Sequence, residues 1–93
     1  MSSRATPEFL QVYRKLPPQI QSATRKTYQL FSQNAAHPGL RLARLRVDPR
    51  AWSVRVTRDY RAVAVRHGDE WLRFWIGTHK ELIVAFHFSL LTS

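Results

Sequence analysis

The side chains of this sequence best equipped for chemistry are its arginines. Twelve Arg and three Lys stand against six acids, a formal charge of +9 on 93 residues. Seven of them, Arg41, Arg44, Arg46, Arg50, Arg55, Arg58 and Arg61, crowd into one stretch whose acids are Asp48 and Asp59. Guanidinium is planar, permanently charged and forked, so it grips phosphate or carboxylate oxygens in pairs where an ammonium acts as a point charge. An uneven positive field of this size points to nucleic acid, an acidic protein surface or anionic lipid; the plainer reading is a solvated basic face. Four histidines, His37, His67, His79 and His87, add imidazoles that exchange protons near neutrality. His37, His67 and His87 lack metal-ligand spacing, and without Cys there is no thiolate nucleophile, zinc-thiolate site or disulfide framework. No metal and no cofactor is expected.

These groups need a scaffold, and the length allows one domain over residues 1–93. A hydrophobic share of 44% supports a packed core. Met1 is followed by Ser2, Ser3 and Arg4 with no apolar leader, and the most apolar stretch, 82–91, is shorter than the about 20 residues of a membrane span. A cytoplasmic protein without membrane contact is expected.

Thr6-Pro7-Glu8 has the form of a helix start: a capping hydroxyl, a proline in the first turn, an acid at the positive helix end. Phe9, Tyr13 and Leu16 make one apolar stripe, and Pro17-Pro18 ends that helix while opening a second. Ile20, Ala23, Thr27, Leu30 and Phe31 form the inner face of the second helix, which breakers close at Asn34 and His37-Pro38-Gly39. From Leu40 to Val47 the period becomes two, with a bulge near Ala43-Arg44, and Asp48-Pro49 turns the chain. Three more strands follow, with turns at Arg58-Asp59 and Gly68-Asp69. The expected class is α+β, two N-terminal helices packed on a twisted antiparallel sheet.

Two-residue turns would fix the register. Trp52, Val65 and Leu72 would then share a row, followed by Val54, Val63 and Phe74, then Val56, Arg61 and Ile76, on the face toward the helices. The opposite face would carry Arg55, Arg66 and Arg73 beside Trp71 and Trp75. With Arg44, Arg46 and Arg58, that face would hold phosphates electrostatically, while Trp75 offers a stacking platform to unpaired bases. The alternative is that both tryptophans are buried under the C-terminal segment. Arg58 suits the positive φ of a tight turn poorly, so a longer or bulged first loop is the alternative, and a slip of one residue would move Arg61 to the other face.

The order and spacing of Leu16-Pro-Pro-Gln-Ile20, His37-Pro-Gly-Leu40, Trp52-Ser-Val-Arg-Val-Thr-Arg-Asp-Tyr-Arg-Ala-Val63 and Phe74-Trp-Ile-Gly-Thr-His79 resemble the RelE/ParE superfamily of bacterial type II toxins. The resemblance extends to about Glu81. It implies two helices on a twisted antiparallel sheet, sometimes led by a short first strand, and a toxin neutralised by a cognate antitoxin. RelE-like members cleave mRNA on the ribosome without metal; ParE-like members inhibit DNA gyrase and are not enzymes. Matched to the family, Arg55 and Arg61 take its basic sheet positions, and His79 and Lys80 stand where its last strand ends.

RNA cleavage by 2′-OH attack needs a base, cations for the pentavalent phosphorane and an acid for the leaving oxygen. Arg55 and Arg61 suit the charge role and His79 the proton exchange; a His hydrogen-bonded at a strand end is the plainer reading. Relatives tend to continue with an acidic, Tyr-containing segment, whereas this chain reads Lys80-Glu-Leu-Ile-Val-Ala-Phe-His-Phe88 and offers no aromatic hydroxyl there. The expected activity is a ribosome-dependent endoribonuclease, the alternatives being gyrase inhibition and RNA binding without catalysis. The apolar side of the tail is a candidate docking place for the antitoxin.

Overall fold

The structure, a computed structural model, describes residues 2–45 and 48–85. Arg46 and the tail from Phe86, for which a strand and a buried helix were both open, lie outside the described residues. The elements in chain order are β1 (Ser2–Ala5), α1 (Pro7–Arg14), α2 (Pro18–Gln33), β2 (Ala43–Arg44), β3 (Ala51–Arg55), β4 (Tyr60–His67), β5 (Glu70–Thr78) and α3 (His79–Ala85), with a 3₁₀ turn at Pro38–Leu40. Thr6 Oγ1 accepts from the Phe9 N–H at 3.1 Å and so caps α1, as the Thr-Pro-Glu signal predicts. Pro17-Pro18 both stops α1 and begins α2. Gln21 stitches the joint: its Nε2 donates to the carbonyls of Tyr13, Arg14 and Leu16.

The sheet order is β1-β5-β4-β3-β2. Its last four members are antiparallel, while β1 runs parallel to β5 from Ser2 opposite Glu70 to Ala5 opposite Arg73. The sheet is therefore mixed. Of the expected strand from Leu40 to Val47, Ala43 and Arg44 are the strand residues among the described ones; Leu40 is buried in the 3₁₀ turn and Arg41 goes left-handed at φ 46°.

The expected register is corrected in two places. Ala51 pairs with Val65 and Arg55 with Arg61, one residue away from the expected rows, because the first loop is a longer turn. Thr57 Oγ1 accepts from the N–H groups of Asp59 and Tyr60, and the N–H groups of Val56 and Thr57 both donate to the Tyr60 carbonyl. The Gly68 turn behaves as expected, with Val65 opposite Leu72, but a bulge then leaves Phe74 without a partner, so Val63 faces Trp75.

The faces are re-sorted in consequence. Trp52, Val54, Ala62, Ala64, Trp71 and Ile76 pack with Phe9, Tyr28 and Phe31 on the helix side. Val63, Val65, Phe74 and Trp75 pack on the other side with Ala51, Leu45 and Leu82 of α3. Trp71, expected on the basic face, is buried edge-on to Phe31 at 4.8 Å. Trp75 is half-buried beside α3.

Candidate nucleic-acid interface

The register gathers charge at one end of the sheet, where Arg55 also lines a cavity with Lys26 and Thr27 of α2. Arg55 stands opposite Arg61, and Arg61 opposite Gly77, so two guanidiniums and a gap sit side by side on β3, β4 and β5. Gly77 is required there: a Cβ would stand 2.9 Å from both Glu81 Oε1 and the Trp75 ring. Glu81 in turn accepts the Thr78 N–H at 2.7 Å while the Glu81 N–H donates to Thr78 Oγ1 at 3.0 Å. This reciprocal cap launches α3 where β5 ends.

Arg61 is half-buried and anchored. Its Nη1 donates to the carbonyls of Thr57 at 2.8 Å, Tyr60 at 3.0 Å and Arg58 at 3.1 Å. Its Nε and Nη2 make no hydrogen bond among the described residues. Burial, followed by the nearby charges of Arg55 and Arg41, pushes its pKa below the usual guanidinium value, while Asp59 pulls the other way. A guanidinium stays protonated through such a shift, so Arg61 keeps its full charge beside Arg55.

His79 is exposed and begins α3, and its backbone N–H donates to the Asp59 carbonyl at 2.7 Å. That bond ties the end of β5 to the loop that Arg61 holds, so the imidazole stems from the same corner as the row. Lys80 borders a separate groove with Val12, Ile76 and Val84. Arg58 lies exposed on the anchored loop.

The other expected contacts are dispersed, because the register differs. Arg73, expected beside Arg55, lies on the helix side with its guanidinium 4.6 Å from the Tyr28 ring centre and its Nε donating to the Arg4 carbonyl. Arg66 sits at the opposite end of β4, where its Nε donates to the Gly68 carbonyl and its guanidinium lies 5.8 Å from the Trp71 ring. Arg44 covers Trp52 at 4.8 Å. A single surface holding Arg55, Arg66 and Arg73 is thus replaced by a compact cluster around Arg61 and several arginines spent on aromatic packing.

One member was missed. Arg41 follows the 3₁₀ turn Pro38–Leu40, whose Gly39 and Leu40 line a cavity with Arg55. Arg41 is exposed and has left the strand, yet its charge acts on Arg61. The signal was present in His37-Pro38-Gly39, a breaker cluster that continues into the 3₁₀ turn and delays the strand to Ala43.

A family model described as the ParE-like toxin domain matches residues 18–81. No curated protein matches the chain. Solved structures share its fold at low identity. RelE in the archaeal RelE-RelB complex from Pyrococcus horikoshii superposes with a TM-score of 0.69 at 8% identity, covering 83% of this chain and 92% of that one. The YoeB/ParE toxin from Agrobacterium tumefaciens gives 0.67 at 15%, covering 85% and 99%. YafQ from E. coli gives 0.67 at 11%, covering 87% and 96%.

Proposed function

Because this chain belongs to the ParE-like toxin domain family of the RelE/ParE superfamily, we propose that its arginine row serves a ribosome-dependent endoribonuclease that cuts mRNA. The observation that carries the reading is the cross-strand pair Arg55–Arg61 beside the start of α3, where His79 stands. The 2′-oxygen of one nucleotide attacks its own 3′-phosphate; the new O–P bond gives a 2′,3′-cyclic phosphate as the bond to the 5′-oxygen breaks. Arg55 and Arg61 meet the charge that builds on the phosphorane, fixed cations being worth most where charge develops. His79 delivers a proton to the leaving 5′-oxygen, and the 2′-hydroxyl proton passes to water. Phosphate is held by guanidinium and the proton is moved by imidazole, so the chain itself supplies this chemistry.

An antitoxin would silence the toxin by covering the row or the α3 groove. The RelE-RelB neighbour was solved as such a complex, which supports an antitoxin partner for this chain. A second reading, gyrase inhibition without catalysis, is favoured by the ParE-like description of the matching family and by the packing of Leu82 over Val63 and Trp75, which covers part of the sheet face. Inducible expression with transcript-end mapping, beside a supercoiling assay, separates the two. New ends within translated codons are expected; intact messages with impaired supercoiling would transfer the row to gyrase.

A further inference from the structure

We propose that Arg41 is a third phosphate-contacting residue beside Arg55 and Arg61. The proposal rests on the nucleic-acid reading of the row and deepens it. Three independent features meet at this residue.

The first is position. Arg41 directly follows Gly39 and Leu40, which line a cavity together with Arg55 and Lys26. Since β2 begins only at Ala43, opposite Ser53, no strand pairs with Val54 and Arg55 on that edge of β3 among the described residues, and a polyanion can enter there.

The second is backbone. Arg41 has φ 46° and ψ 47°, the one non-glycine with positive φ among the described residues. Glycine or asparagine adopts this conformation more readily than arginine, whose Cβ crowds the following carbonyl. Such a conformation at a residue with the wrong side chain for it is a mark of function when the surroundings impose it. Here they do: the Arg41 N–H donates to the Pro38 carbonyl, and Leu40, 2% exposed, pins the turn.

The third is what the side chain does in the fold, which is nothing visible. It is exposed and makes no hydrogen bond or ion pair among the described residues, so folding does not explain the arginine. Its charge acts instead on Arg61, crowding a third cation onto a site that already repels itself. Shared anions between them relieve that repulsion.

The test compares the full chain with its Arg41→Gly, Arg41→Asn and Arg41→Lys variants, using a single-stranded RNA oligonucleotide as probe and reading affinity against salt. Losing one phosphate contact should lower the slope of log affinity against log salt by about 0.7 for the Gly and Asn variants, while Lys restores it. Their thermal midpoints should equal or exceed that of the parent, since both residues tolerate the left-handed region. An unchanged slope in both variants would overturn the role of Arg41 and leave Arg55 and Arg61 standing. If both variants fail to fold, the side chain is structural and the proposal falls. A parent protein with no salt-dependent RNA binding would overturn the reading of the whole row.

Discussion

Arg61 and Arg55 face each other, yet substitution should separate them cleanly. Arg61 carries two burdens, since the Nη1 that positions its fork also secures three carbonyls of the β3–β4 loop. Arg55 makes no such bond among the described residues. Arg55→Ala is therefore expected to abolish growth toxicity with the melting temperature preserved. Arg61→Ala should abolish toxicity and also lose about 1 kcal/mol of stability, the net worth of a hydrogen-bonded charge half open to water. Denaturant titration of both variants checks this, and equal stability would mean that the loop does not depend on the guanidinium. Tyr28 presents the reverse case. Its hydroxyl is buried without a hydrogen-bond partner among the described residues, and burial raises its pKa well above the ordinary phenol value despite the opposing pull of Arg73. A raised folded pKa on an acid stabilises the fold below the unfolded pKa and loses that contribution as pH climbs above it. Wild-type stability should consequently fall above about pH 10, and Tyr28→Phe should flatten that fall. At neutral pH the same variant should be neutral or gain up to about 1 kcal/mol, because it removes an unsatisfied buried polar group.

Among the elements, α3 depends on a small hinge. Thr78 and Glu81 cap each other's backbone, and Gly77 leaves the room in which the Glu81 carboxylate and the Trp75 ring lie. Thr78→Ala should cost about 1 kcal/mol, as the loss of a capping hydroxyl does. Gly77→Ala should cost more, about 1–3 kcal/mol, because the new methyl meets two groups that are not free to retreat together. Thermal unfolding ranks the two variants, and the opposite order would mean that Trp75 yields easily. The same elements explain what a sequence can disclose. Thr6-Pro7 and Pro17-Pro18 act within their own helical turn, so both helices were legible. The Gly68 hairpin was legible for the same reason, its glycine at φ 61° serving a tight turn. The Thr57 hydroxyl and the Arg61 guanidinium lengthen the other turn through side-chain bonds that no periodicity records. The Phe74 bulge then passes unnoticed, since Phe74 and Trp75 are equally apolar. These two steps re-sort the faces of Arg61, Arg73 and Trp71. The strand β1 has no alternation to read, and its parallel pairing with β5 joins residues far apart in the chain.

On the scale of the whole molecule, a charge of +9 sits on a domain with few internal counterions. The ion pairs among the described residues, Arg4–Glu70 at 3.7 Å and Arg50–Asp48 at 3.0 Å, are exposed and lie away from the Arg55–Arg61 row. Exposed pairs contribute little. Arg73, Arg44 and Arg66 are instead laid against aromatic rings, which accept a cation without neutralising it. The folded state thus confines like charges that the unfolded chain spreads apart, and their repulsion opposes folding. Salt shortens the reach of that repulsion from about 30 Å at 0.01 M to about 3 Å at 1 M. The melting temperature of the isolated protein should accordingly rise between these two NaCl concentrations, and a polyanion should achieve the same at far lower ionic strength by binding the row. Combining Arg55→Ala with Arg61→Gln should reduce the polyanion's effect more than the effect of NaCl, since the first is a local contact and the second acts on the entire field. Scanning calorimetry of parent and double variant in NaCl and in single-stranded RNA measures both. A melting temperature that falls with NaCl would mean that attractive pairs dominate the folded state, and the stored repulsion that makes this surface seek an anionic partner would be absent.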